Sequence, residues 1–313
     1  MRLKKNYSLL ILIVFIIVSL LGCSQKQESK MKGAQEGDKL EDEPTIRVEL
    51  ENGQTKEMKL EEYVAGVVAG EMKKDWPKNA YGAQAIKART FALRKIEDTA
   101  DNTISAQHEE AQAYKPENIT DEIRSAVEMT EGQVVTYNGE YIKAWFHSSA
   151  GGETTSAKVG LNYKKAEPKY IKSVQSPDDE APADIKSWEL NISTAELKEA
   201  LQSQGVTADQ IQEVKIKERD QTGRIKKLEI KHDQGTTEMH GADFRMAVGP
   251  DKLKSTKVET ITKQGNGFVF KGEGYGHGVG MSQWGAYKLA QEGKTPKEII
   301  NYYFKDVKIE KIY

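Results

Sequence analysis

The sequence predicts an α+β fold: a mixed, mostly antiparallel sheet with packed helices, forming one domain with an insertion in its middle. Three observations predict it. Ile46, Val48 and Leu50 alternate with the two-residue period of a strand. Two stretches with helical spacing follow. Asn138-Gly139, a type I′ hairpin signal, then separates two further apolar runs. Strands and helices do not alternate regularly, which argues against a doubly wound parallel sheet.

The elements follow in order. Leu60, Tyr63, Val64, Val67, Val68, Glu71 and Met72 share one helical stripe. Pro77 interrupts, and a second helix is expected over about Asn79 to Ile96, where Ala80, Ala83, Ala85, Ala88 and Ala92 suit close packing. Thr120 caps a helix with Asp121 and Glu122 in its first turn. Gln133–Tyr137 and Glu140–Phe146 form the hairpin around Asn138-Gly139. The middle, about 190–235, reads as an insertion or subdomain. Within it, Ser193 with Glu196 and Thr207 with Gln210 read as capping boxes, and Val214–Ile216 with Ile225–Ile230 as a hairpin around Thr222-Gly223. Thr295, Pro296 and Glu298 open a last helix.

Residues 1–23 carry an export signal. Arg2, Lys4 and Lys5 precede an apolar run, Tyr7 to Leu21, of fifteen residues. A spanning helix needs about 20, so the run fits the apolar part of a secretory signal, with the remainder of the chain on the outer face of the membrane. Cys23 is the single cysteine of the 313-residue chain and follows Leu20-Leu21-Gly22. The site resembles a bacterial lipobox, in which the cysteine receives lipid; the alternative is an uncleaved anchor with an incidental cysteine. Residues 24–45 are polar and read as a tether. The folded part is expected over 46–313.

A formal charge of -2 argues against a general nucleic-acid binder. Several chemistries are absent as motifs. No phosphate-binding G-x-x-x-x-G-K-[ST] or G-x-G-x-x-G occurs, His108-Glu109 does not continue to H-E-x-x-H, and Gly280–Gly285 misses the nucleophile elbow by one residue. Three segments stand out. Glu71 lies on the apolar side of its helix, either as a partly desolvated general acid or as a helix-end residue turned to water. His147-Ser148-Ser149-Ala150-Gly151-Gly152 reads either as a loop that meets a ligand or as a polar turn. Gly272 to Gly280 alternates glycine with Glu273, Tyr275, His277 and Val279. Extended, it would show one bare face, inviting either a close ligand or tight packing.

Together these segments resemble the stage II sporulation protein D family, which includes the amidase-enhancer proteins. The resemblance rests on Tyr63–Met72, Ala83-Gln84-Ala85 through Ala88-Arg89-Thr90, Gln112-Ala113-Tyr114, Gly132–Val135, His147–Gly152 and Gly272–Ala286. Ala242–Arg245 and Asn301-Tyr302-Tyr303 add weaker matches. It covers about residues 46–313.

The resemblance implies a peptidoglycan lytic transglycosylase that cleaves glycan strands stripped of stem peptides, in sporulation and cell-wall remodelling. Its catalytic acid would be Glu71. Its implied partners are peptidoglycan strands, the membrane through the N-terminus, a cell-wall amidase and membrane sporulation proteins. Arg89, His147, Ser148, Ser149, Gly151, Gly152, Tyr275, His277, Gly278 and Gln283 are the candidate substrate contacts, Arg89 also as a residue that orients Glu71. Some family members bind zinc through cysteines. This domain has none, so no metal or other cofactor is expected. The alternative functions are a non-catalytic wall-binding enhancer of an amidase and a scaffold for a membrane complex.

Overall fold

The computed structural model describes residues 40–313 apart from 51, 98, 100, 101 and 107–111, so Cys23 and most of the tether lie outside the described residues. Among the described residues there are nine helices and fourteen strands in five small sheets, most pairs antiparallel, which bears out the α+β expectation. No helix among them is long and apolar enough to cross a membrane.

Strand β1 (Thr45–Glu49) alternates exposed and buried positions, with Ile46 and Val48 fully buried. It pairs antiparallel with β2 (Thr55–Lys59), which runs directly into helix α1 (Leu60–Glu71). Helix α1 buries Leu60 and every residue from Tyr63 to Ala69, so it is enclosed on more sides than the stripe read from the sequence; of that stripe, Glu71 is only half-buried and Met72 lies just past the helix end. Its Gly66 and Gly70, four residues apart, fall on one face. Tyr114 packs over the first and the Ala113 carbonyl over the second, so closely that a β-carbon at either would clash. Helix α2 (Lys78–Glu97) buries its alanines and packs against α1 among other elements. Strand β3 (Thr103–Ser105) adds parallel to β1.

Helix α3 (Asp121–Met129) is capped by Thr120, whose side chain accepts the Ile123 N–H. Strands β4 (Gln133–Tyr137) and β5 (Glu140–Tyr141) meet at Asn138 and Gly139, both with positive φ (54° and 80°), as a type I′ turn requires. The second strand is shorter than expected. The chain leaves the sheet after Tyr141, and Phe146–His147 forms a separate strand, β6.

After the short helices α4 (Ala157–Gly160) and α5 (Ala183–Lys186), the middle region builds its own core. Strand β7 (Trp188–Ser193), helix α6 (Thr194–Ser203), strands β8 (Ile211–Arg219), β9 (Ile225–His232) and β10 (Gly235–His240), helix α7 (Gly241–Val248), and strands β11 (Val258–Gln264) and β12 (Gly267–Gly272) make two three-stranded sheets. Their cluster runs from Trp188 to Phe270, so strands well beyond residue 235 belong with it. The Ser193–Glu196 capping box is present. Thr207 and Gln210 form none, because no helix starts there; the Asp233 carboxylate takes the N–H groups of Asp209 and Gln210, both at 2.9 Å, and β8 begins at Ile211.

The chain then returns through strand β13 (Met281–Ser282), which pairs parallel with β6, helix α8 (Gln283–Gln291), helix α9 (Pro296–Tyr303) with its Thr295–Glu298 capping box, and β14 (Lys308–Lys311) beside β4.

Candidate active site

Glu71 is the last residue of α1 and is half-buried. The Ala113 N–H donates to its Oε1 at 2.7 Å. That contact exists because Gly70 lets the 112–114 segment lie directly on the helix, a backbone approach no larger residue would permit. Tyr63, two turns earlier, is buried beside Tyr114 in a stacked pair, ring centroids 5.6 Å apart. Burial raises the Tyr63 phenol well above its ordinary range, and the Glu71 carboxylate adds to the rise. The backbone carbonyl of Glu71 accepts the Gln283 amide, Nε2 to O 3.1 Å. Beyond the helix, Trp76, Trp284 and Tyr287 form an aromatic cluster with centroids 4.7–5.4 Å apart, and Lys73 lies over Trp284.

The histidine loop and the glycine-rich run come together. Strands β6 and β13 pair His147 with Ser282, and Ser149 exchanges two backbone hydrogen bonds with Tyr275, each 2.9 Å. The run is not an extended strand: Gly274, Gly276, Gly278 and Gly280 all have positive φ. Its glycine positions face the protein itself. A β-carbon on Gly278 would enter the Arg224 guanidinium, and one on Gly276 would lie 2.7 Å from His147 Cβ. The tight-packing reading therefore holds at these two positions.

His147 and His277 meet with ring centroids 5.5 Å apart. Val279 joins them: its N–H donates to His277 Nδ1 (3.0 Å), and its carbonyl accepts from His147 Nδ1 (3.2 Å). Since that carbonyl only accepts, Nδ1 of His147 carries the proton, and the buried Nε2 has no hydrogen-bond partner among the described residues. Burial drives His277 down to about 3, helped by Arg245 and Arg224. Burial also holds His147 well below its ordinary value, with His277 and Arg224 adding to the effect. Both are neutral imidazoles.

The other sequence candidates divide. Ser148 is half-buried, and its carbonyl accepts the Trp284 N–H at 3.0 Å. Gly151 and Gly152 form a half-buried turn, with the Lys257 ammonium on the Gly151 carbonyl. Tyr275 is half-buried and donates its hydroxyl to Asp251 at 2.9 Å. Ser149 is buried, its hydroxyl given to Asp178 (2.9 Å), and Gln283 is buried against Glu71.

Arg89 does not orient Glu71. It is fully buried, forked onto the Glu61 carboxylate (2.8 and 2.5 Å), with Nη1 on the Gln133 carbonyl (2.8 Å). Glu61 and Glu71 sit at opposite ends of α1, about 15 Å apart at 1.5 Å per residue. Glu61 also takes the Gly132 N–H and the Tyr313 hydroxyl, so the Arg89 pair fastens the C-terminus to the helix.

Sequence reading passed over Asp178 and Arg224. Asp178 accepts hydroxyls from Ser176 (2.7 Å), Ser282 (2.8 Å) and Ser149 (2.9 Å). Arg224 is fully buried and donates to the Ala150 carbonyl at 2.6 Å. Apart from Ser176, two residues before Asp178, these partners are 29 to 104 residues away, so neither residue carries a local signal of its role.

A family profile described as "Stage II sporulation protein" matches residues 50–137, the segment that holds Glu71 and Ala113. A domain of unknown function (DUF8618) matches 136–280, from the hairpin through the glycine-rich run. An uncharacterised protein of Brachyspira hyodysenteriae is 34% identical over 81% of this chain and 67% of its own length. The Bacillus subtilis amidase enhancer is 27% identical over 76% of this chain and 39% of its own. Stage II sporulation protein D of Bacillus subtilis is 31% identical over 82% of this chain and 76% of its own length. Similarity of that extent, on top of the profile match over Glu71, places the chain in the stage II sporulation protein D family.

Proposed function

We propose that this protein is a lytic transglycosylase acting on peptidoglycan glycan strands stripped of stem peptides, with Glu71 as its acid and base. The family and the amidase-enhancer relative support the coarser role, in sporulation and at the cell wall. The observation that carries the finer reading is the holding of Glu71. Its carboxylate is fixed by the Ala113 N–H and its carbonyl by Gln283, half-buried at the end of a packed helix. Fixed orientation is what proton transfer to a glycosidic oxygen requires.

The chemistry balances on one carboxyl group. Protonated Glu71 gives its proton to the oxygen bridging N-acetylmuramic acid to N-acetylglucosamine, and the C1–O bond breaks. The resulting carboxylate takes the proton of the muramic acid 6-hydroxyl as O6 closes on C1. An anhydro end forms, no water is consumed, and Glu71 returns to its acid form. Hydrolysis would instead need a second carboxyl group and a water molecule.

Export and anchoring through residues 1–23 belong to the same proposal, and put the domain on the outer face of the membrane where its substrate lies. The similarity to an amidase enhancer favours one second reading, a wall-binding stimulator of a separate amidase. Mass spectrometry of stripped glycan strands after incubation with the protein separates the two. Anhydro-ended fragments support the transglycosylase; intact strands, with stimulation of an added amidase, support the enhancer.

A further inference from the structure

We infer that Gln283 is a positioning residue for Glu71, held in turn by Asp178 through Ser282; the inference rests on the reading of Glu71 as the catalytic acid. The last carbonyls of a helix have no partner within it. At the end of α1 the chain turns away, with Asp75 at φ 62°, and the Glu71 carbonyl is capped by the Gln283 side chain, more than two hundred residues on. Gln283 is 6% exposed, so its amide is aimed inward and is itself fixed.

What fixes it is the start of α8. Ser282 is the N-cap: its Oγ accepts the Gly285 N–H at 3.2 Å and donates to Asp178 at 2.8 Å. The Asp178 carboxylate also takes Ser149 of the histidine loop and Ser176, whose hydroxyl meets that of Tyr303 at 2.9 Å. Gly285 leaves the room this requires, since a β-carbon there would strike Tyr303, Ser176 and Asp178. One buried carboxylate thus gathers the histidine loop, the 176–178 turn and the start of α8, and one residue further along α8 the gathered assembly reaches Glu71. Such buried networks specify a single geometry when every member is satisfied.

The test uses the full-length chain in detergent, acting on stripped glycan strands. Gln283→Ala should lower kcat by about 10- to 100-fold, the size of effect a misplacement near 1 Å produces, with KM within about twofold. Gln283→Glu keeps the shape but, when ionised, cannot donate to the carbonyl. Its kcat should be low at pH 7.5 and recover as the pH falls and the new carboxyl group gains a proton, a pH profile that lost packing alone would not produce. Asp178→Asn combined with Gln283→Ala should cost little more than Gln283→Ala alone, because both act through one path. Gln283→Ala with wild-type kcat, while Glu71→Gln is inactive, would overturn the positioning role. So would Gln283→Glu tracking Gln283→Ala at every pH. Cleavage surviving in Glu71→Gln would instead overturn the underlying reading of Glu71.

Discussion

The backbone N–H of Ala113 donates to the carboxylate of Glu71 at 2.7 Å, and the neighbouring Ala113 carbonyl rests on Gly70. The residue before the proposed acid therefore sets where the acid's partner lies. Gly70→Ala would place a methyl group closer than 3.0 Å to that carbonyl, so the 112–114 segment must lift. Helix propensity favours alanine over glycine by about 1 kcal/mol, but overpacking of this kind costs about 1–3 kcal/mol. The expected outcome is unchanged or slightly lowered stability with a marked loss of glycan cleavage. Urea unfolding and product analysis on the same preparation check it; wild-type cleavage would sever the link between Gly70 and Glu71.

Acid should destabilise the fold through the facing histidines. His277 is lowered to about 3 and His147 well below its ordinary value by burial, with Arg224, Arg245 and Lys87 adding to the effect and the carbonyls of Val279 and Phe146 opposing it. The unfolded chain binds these protons first, so their contribution is whole above about pH 6.5 and is lost as pH falls from there toward about 3. Each histidine contributes at most about 1.4 kcal/mol per pH unit in that window. Urea midpoints between pH 7.5 and 5.5, above the range of most carboxylates, should fall more steeply for the wild type than for His147→Gln/His277→Gln.

Gly278→Val should unfold the domain rather than selectively weaken glycan binding. Its φ of 79° is disfavoured for a branched residue, and the added side chain would meet the buried guanidinium of Arg224. A loss of several kcal/mol is expected, on the order of the largest single-residue effects. A folded variant with impaired binding alone would return the glycine run to the role of a substrate-facing surface.

Cys23→Ser should abolish lipid labelling and release the protein from the membrane fraction. The motive is the short apolar run ending Leu20-Leu21-Gly22-Cys23. Unchanged mobility and fractionation, with no label in either form, would favour the uncleaved anchor.

Local rules were legible in the sequence, and long-range ones were not. The α1 helix, the Asn138-Gly139 turn and the Ser193 and Thr295 caps depend on neighbours a few residues away, and all are present, although α1 is buried on more faces than a single stripe. Thr207–Gln210 obeys the same local pattern but loses to Asp233, which arrives from the end of β9 and takes the Gln210 N–H that the box would use, with that of Asp209. The strand expected through Phe146 breaks because Phe146–His147 finds its partner at Met281–Ser282, 135 residues on. For the same reason Arg89 looked like a ligand for a carboxylate: the carboxylate it holds is Glu61, at the other end of the helix from Glu71.

Glu71→Gln is the decisive substitution. The amide has nearly the volume of the acid and can still accept the Ala113 N–H through its oxygen, so the 112–114 segment and the Gln283 contact to the backbone should stay in place. What it cannot do is give a proton to the departing sugar oxygen or receive one from the 6-hydroxyl. General acid–base assistance is worth roughly 100- to 10,000-fold, and here one group would supply both transfers, so a loss at or beyond the upper end is expected. Binding of stripped glycan strands, followed by co-sedimentation, should be close to wild type. Glu71→Asp adds a graded control. It keeps the acid but withdraws it by one methylene, so partial activity is expected, between wild type and the amide. Wild-type turnover by Glu71→Gln would remove this carboxyl group from the chemistry. Reducing rather than anhydro ends from the wild-type enzyme would require an activated water in place of the 6-hydroxyl, and with it a second acidic group.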